Sequence, residues 1–270
     1  MKKLSLILLV SLMSSTVFAG LSAKRKSGES YFIAHMRNLT LNINPPMGPF
    51  QTPQQNEPFI AAATNVVRMK KTLKNIDVKE IPDLGSYADL ENHFKILRDE
   101  RFIHKDPNFP RRSTWMYPDD GCYARAELMK NRLINNHMPA PKKIFVFGDL
   151  WANTTNHKSG MVSWWYHVAV TYRVGNEAYV LDPSLEPKRP LKLAEWNKAV
   201  GGNDTKVEYS ICEADAIDPE SDCKTPYHTP AQEAMDLQEP FLELEWDRLI
   251  ELKRDPNAEL GEFPPWLLAN

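Results

Sequence analysis

Apolar positions along the chain change their period several times, and each change marks an element. From Tyr31 to Ile43 apolar and polar residues alternate among β-formers, which predicts a strand. Pro45 to Pro58, rich in proline, glutamine and asparagine, reads as a loop. Pro58 to Ile76 offers Ile60, Val66, Val67 and Leu73 for one face of a helix. A second helix starts at Ser86, with Asp89 three positions on as a capping partner, and carries Leu90, Phe94 and Leu97 inward. Phe102 to Pro118 is a basic, proline-punctuated loop. Cys122 to Ile134 returns to helical spacing, with Ala124, Leu128, Met129 and Leu133 among strong helix formers.

Strands follow at Lys142 to Leu150, Met161 to Val174 and Glu177 to Leu181. Gly175-Asn176 joins the last two as a two-residue hairpin turn. Leu191 to Val200 reads as a short helix, Lys206 to Cys212 as a further strand, and Pro230 to Lys253 as a helix ending before Pro256. No internal repeat is present.

Residues 1–19 form a separate case. Lys2 and Lys3 precede an almost wholly apolar run from Leu4 to Met13, and Val17-Phe18-Ala19 ends in small residues. The run is shorter than the roughly 20 residues a membrane span requires, so it reads as a secretory signal cut after Ala19. No cysteine follows for a lipid anchor, and no later stretch is long and apolar enough to hold the chain in a membrane. The expected location is outside the cytoplasm, in the periplasm or the medium. A formal charge of −2 without a Lys/Arg stripe excludes nucleic acid as an expected partner.

Export changes the meaning of the 3 cysteines. Cys212 and Cys223 bracket a polar, proline-containing stretch whose length suits a disulfide, a crosslink that stabilises by about 3 kcal/mol in the chain-entropy treatment. Cys122 is then left as a free thiol in an oxidising compartment.

Cys122 follows Gly121 at the start of a helix. Unsatisfied N–H groups and the helix dipole there favour a thiolate and can donate to an oxyanion. Position alone also allows a small buried apolar residue. His167 lies in the strand Trp164-Trp165-Tyr166-His167-Val168-Ala169-Val170, where an imidazole needs a hydrogen-bond partner. A two-residue turn at Gly175-Asn176 puts Val174 opposite Glu177, Ala169 opposite Asp182 and His167 opposite Ser184. His167 and Asp182 are then diagonal neighbours on one face, about 7–8 Å apart at Cα. A carboxylate on one ring nitrogen leaves the other to act as a base. Of Trp164 and Trp165, alternation turns one inward and leaves the other to line a groove. His104, His137, His157 and His228 are scattered and no pair has the spacing of a zinc site, so the metal reading is weak.

The segment Tyr117-Pro118-Asp119-Asp120-Gly121-Cys122-Tyr123-Ala124-Arg125-Ala126 resembles the nucleophile segment of bacterial protein glutaminases, cysteine enzymes of the transglutaminase-like class. Trp165-Tyr166-His167-Val168-Ala169 resembles their histidine strand, and Leu181-Asp182-Pro183-Ser184-Leu185 their aspartate segment. Looser similarity at Ile81-Pro82-Asp83 and from Tyr227 to Pro230 extends the likeness over about residues 80 to 230. It implies an α+β fold, an antiparallel sheet packed against a helix bearing the nucleophilic cysteine at its N-terminus, as in transglutaminase- and papain-like cores. It implies a Cys122–His167–Asp182 triad that deamidates glutamine side chains in proteins or peptides, with no metal or other cofactor. Gly121, Trp164, Trp165 and Tyr166 are the expected substrate contacts. The corresponding organisation is a signal peptide at 1–19, an accessory or pro-like segment at 20–77, a catalytic domain at 78–230 and a helical extension at 231–270. The short pro-like segment and the low cysteine content depart from the family pattern. The same triad also suits transamidation or peptide cleavage, and an exported binding protein with an inert cysteine is the alternative outside enzymology.

Overall fold

The computed structural model describes residues 64–103, 110–203, 205–225 and 230–262. The expected leader, the Tyr31 to Ile43 strand, the Pro45 to Pro58 loop, His104, Tyr227 and His228 lie outside the described residues.

The core is a five-stranded antiparallel sheet in the order β4-β3-β2-β1-β5. Its strands are β1 (Lys142–Asn153), β2 (Met161–Val174), β3 (Glu177–Leu181), β4 (Leu191–Lys192) and β5 (Glu208–Glu213). The helices are α1 (Tyr87–Asp99), α2 (Cys122–Asn135), α3 (Leu193–Ala199), α4 (Ala231–Glu251) and α5 (Pro256–Leu260). β2 and β3 have the predicted bounds, and Val174 pairs with Glu177 across Gly175-Asn176, as the turn requires. Gly175 has φ +61°, the left-handed backbone such a tight turn needs. β1 runs past its predicted end to Asn153, with an irregularity between Phe147 and Leu150 that lets its far half continue the ladder with β2.

Apolar alternation divides the sheet between two sets of helices. Ile144, Val146, Ala169 and Val180 share a cluster with Leu193, Trp196 and Val200, so α3 covers one face. α2 packs against β2 and is itself backed by α4. The helical expectation for Pro58 to Ile76 is corrected in its described part. Two single 3-10 turns stand there, Val66–Arg68 and Leu73–Asn75. Their backbone is engaged elsewhere: Val66 and Val67 N–H donate to the carbonyls of Ser221 and Pro219, and Lys71 bridges to Tyr209 on β5. Tertiary hydrogen bonds to a sheet edge outcompete a helix whose β-branched residues favour it weakly.

α1 begins as predicted: Ser86 Oγ accepts from Asp89 N–H at 3.3 Å, and Leu90, Phe94 and Leu97 are buried. Cys212 and Cys223 form a disulfide with Cα atoms 4.5 Å apart.

Candidate active site

Cys122 is the first residue of α2. Gly121 before it has φ +78° and, having no side chain, supplies no cap to the first turn. A Cβ there would stand 3.0 Å from the Phe241 ring, so glycine is required both by the backbone and by the space. Arg125, one turn along α2, folds its guanidinium back over the approach to the cysteine. Its Nη1 donates to the carbonyls of Asp120 at 2.7 Å and Tyr117 at 3.1 Å. Trp164 Nε1 donates to the carbonyls of Pro118 at 2.9 Å and Asp119 at 3.2 Å. The segment before Cys122 is therefore held by side chains from α2 and β2 together.

His167 sits on β2, and Asp182 lies just beyond the end of β3. Their diagonal placement closes into a hydrogen bond of 2.7 Å between His167 Nε2 and Asp182 Oδ2. Trp196 Nε1 donates to the same oxygen at 2.9 Å, and Ser184 Oγ donates to Oδ1. The turn behind the carboxylate is fixed by Leu185 and Glu186 N–H groups donating to the Asp182 carbonyl. His167 stacks on Trp164 with ring centroids 4.9 Å apart, and Trp196 lies at 5.9 Å. With Nε2 taken by Asp182, the buried Nδ1 is the ring nitrogen left over, and Cys122 lies near enough to act on the same ring through a hydrogen bond and its charge.

The three residues are almost sealed from solvent, at 6% exposure for Cys122, 1% for His167 and 5% for Asp182. Burial alone would lower the His167 pKa, but the charge and hydrogen bond of Asp182, with a further contribution from Cys122, raise it to about 9. Burial would raise that of Asp182, yet the His167 charge and the hydrogen bonds from His167, Ser184 and Trp196 hold it at about 2. The favoured state is an imidazolium against a carboxylate. Burial, then the charges of Cys122 and Asp120, push the Tyr166 phenol well above its ordinary value, so it stays an O–H donor.

Trp164 and Trp165 face different sides, and it is Trp164, three positions from His167, that reaches the imidazole. Trp164 is half-buried against His167, whereas Trp165 is 50% exposed, edge-on to Tyr166 at 4.6 Å. Among the described residues, no group of three His, Cys, Asp or Glu has the arrangement of a metal site. A cavity of about 10 Å³ is lined by Cys122, Arg125, Ala169 and Asp182, enough for one water.

Residues 90–200 match the family model described as glutaminase. That segment contains Cys122, His167 and Asp182. Comparison with curated proteins finds no match. Among solved structures, the chain is similar to protein-glutaminase from Chryseobacterium proteolyticum, at 27% identity over 63% of this chain and 89% of that one, with a TM-score of 0.45. A second protein-glutaminase structure aligns at 25% identity over 69% of this chain and 93% of that chain, TM-score 0.42. A pro-protein-glutaminase aligns at 24% identity over 64% and 58%, TM-score 0.43.

Sequence reasoning missed Trp196, Arg125 and Arg248. Arg125 had a signal, a charged residue three positions after the cysteine on a helix packed on both sides. Trp196 and Arg248 had none, because their partners are distant in sequence.

Proposed function

We propose that this protein hydrolyses the side-chain amide of glutamine in proteins or peptides, converting the residue to glutamate and releasing ammonia. The observation that carries the reading is the match of residues 90–200 to the glutaminase family over the same segment in which Asp182 binds His167 and Cys122 opens α2. Cys122 sulfur attacks the amide carbon, and the oxygen takes up negative charge beside the uncapped N–H groups of the first turn of α2. The carbon–nitrogen bond breaks as His167 passes a proton to the nitrogen, which leaves as ammonia. Water then attacks the thioester, giving a proton to His167 and restoring the Cys122 sulfur as glutamate departs. Asp182 keeps the ring oriented throughout and stabilises its charged form.

Gly121 permits close approach of the amide to the sulfur, and Trp165 and Tyr166 supply aromatic surface for the polypeptide around it. Trp164 acts as the wall behind His167. The same reading includes export. The leader pattern at residues 1–19 and the Cys212–Cys223 disulfide suit an oxidising compartment, and among the described residues no helix is long and apolar enough to cross a membrane.

The deciding experiment incubates the protein with a library of glutamine-containing peptides, with and without a primary amine. Mass spectrometry should find a gain of about one mass unit at glutamine, the replacement of NH2 by OH expected of thioester hydrolysis. An amine adduct instead would make the protein a transamidase, and a cut backbone would make it a peptidase. No change at any glutamine, with Cys122 inert to iodoacetamide, would return it to the binding-protein class.

A further inference from the structure

The segment that presents Cys122 is held from outside the matched residues 90–200. Arg248 on α4 is fully buried and grips Asp119 with both arms of its guanidinium, Nη1 to Oδ2 at 2.7 Å and Nη2 to Oδ1 at 3.0 Å. The same Nη1 donates to the carbonyl of Asn156 at 2.7 Å. Asn156 lies in the loop between β1 and β2, and β2 carries His167. Its side chain is fixed in turn by Arg254 Nη1 at 2.7 Å. Arg248 also lies over the Tyr117 ring at 5.0 Å, and its Nε contacts Glu251 at 3.2 Å. One guanidinium thus touches the stretch leading into the nucleophile and the hairpin that bears the base.

Neighbours on the same helix face complete the grip. Gln238 Nε2 donates to Thr114 Oγ1 at 2.8 Å, Phe241 packs on Gly121, and Glu245 Oε1 accepts from Met116 N–H at 2.7 Å and from Arg112 Nη1 at 3.0 Å. Positions 238, 241, 245 and 248 recur at helical spacing, so a single stripe of α4 faces the loop. A planar bidentate contact fixes direction as well as distance, which a lysine at the same place could not do.

We infer that Arg248 is a positioning residue that sets the spacing between the Cys122 segment and the His167 strand. This rests on the deamidase reading above for its functional meaning. The test compares wild type with Arg248→Met, Arg248→Lys and Asp119→Asn in the full chain. It reads kcat and KM on a glutamine peptide and, with no substrate present, the rate of Cys122 alkylation by iodoacetamide.

Arg248→Met should lower kcat about tenfold or more while KM stays within about twofold, since the lost charged hydrogen bonds act on alignment and not on substrate binding. Alkylation should change with it, Arg248→Lys should fall between, and Asp119→Asn should reproduce the Met effect, with the Arg248→Met, Asp119→Asn double variant no worse than either alone. Leu260→Ala, in the α5 packing against Trp246 and Leu249, supplies a loss of stability that leaves kcat per folded molecule unchanged. Wild-type kcat and alkylation in Arg248→Met and Asp119→Asn would overturn the inference, whatever their melting temperatures. If Arg248→Met does not fold, Arg248→Lys and Asp119→Asn decide it on the same terms. A wild-type protein that deamidates nothing would sink the functional reading alone, because the alkylation arm still reports on how Cys122 is presented.

Discussion

Three donors converge on the Asp182 carboxylate, from His167 on β2, Trp196 on α3 and Ser184 in the turn that follows Asp182. Replacing one oxygen by an amide leaves the shape but turns an acceptor into a donor, which then faces other donors. Asp182→Asn should therefore lower kcat by about 10³-fold or more with little effect on KM, as expected when a base loses its correct tautomer. Steady-state kinetics on a glutamine peptide measures it, and losses in the Cys122→Ala, His167→Ala and Asp182→Asn series should not add. The paired charges also make stability depend on pH. His167 has a folded pKa of about 9 against 6.5 ordinarily, so its contribution is whole below 6.5 and is lost as pH rises through about 9. Asp182 stands at about 2 against 3.8, so its contribution is whole above 3.8 and is lost as pH falls through about 2. The melting-temperature difference between wild type and His167→Ala should be widest between those limits and shrink at both ends. A flat difference from pH 3 to 10 would refute the pairing.

The helix that Cys122 opens carries its own constraint. Glu127, fully buried on α2, pairs with Lys130 at 2.6 Å and with Lys143 of β1, and Lys130 reaches Asp215 at 2.9 Å. Burial lowers the Lys143 pKa, and the Glu127 charge opposes that shift. Removing Glu127 would leave the buried Lys143 ammonium without its partner, while Lys130 keeps Asp215, so Glu127→Ala should cost about 3–5 kcal/mol in urea unfolding. Gly121→Ala is a sharper case, because the left-handed backbone and the Phe241 ring both oppose it. It should cost about 1 kcal/mol or more from the backbone conformation alone, with a larger fractional loss of kcat as α2 shifts. Elements of this kind were legible where local patterning governed them. The β2–β3 hairpin follows from alternation and one Gly-Asn turn, and its register alone places Asp182 diagonal to His167. The helix expected over Pro58 to Ile76 was not legible, because its described backbone answers to the β5 edge and the 219–221 turn, which no local pattern reveals.

At the scale of the molecule, the described stretch 64–80 and the disulfide loop close the β5 side of the sheet. Thr64 accepts from Cys223 N–H, Ser210 Oγ donates to the Val66 carbonyl at 2.7 Å, and Val66 is fully buried. A chain beginning at Pro82 should consequently melt well below one beginning at Thr64, and equal melting would show that the stretch is dispensable. Cys212→Ser with Cys223→Ser should lower stability by about 3 kcal/mol, and dithiothreitol should lower the wild-type melting temperature without affecting the double variant.

The amino-acid order alone determined the short-range features: strand alternation, the hairpin turn, the glycine-cysteine helix start and the pairing of the two remaining cysteines. Each depends on neighbours a few positions apart or on a simple count, and backbone stereochemistry reads such information directly. Only the tertiary structure decided that Trp196 completes the hydrogen bonding of the Asp182 carboxylate and that Arg248, 129 positions from Asp119, grips the segment before Cys122. Those contacts depend on how α3 docks on the sheet and α4 on α2, and docking is set by the summed burial of many side chains, which no single stretch of sequence encodes.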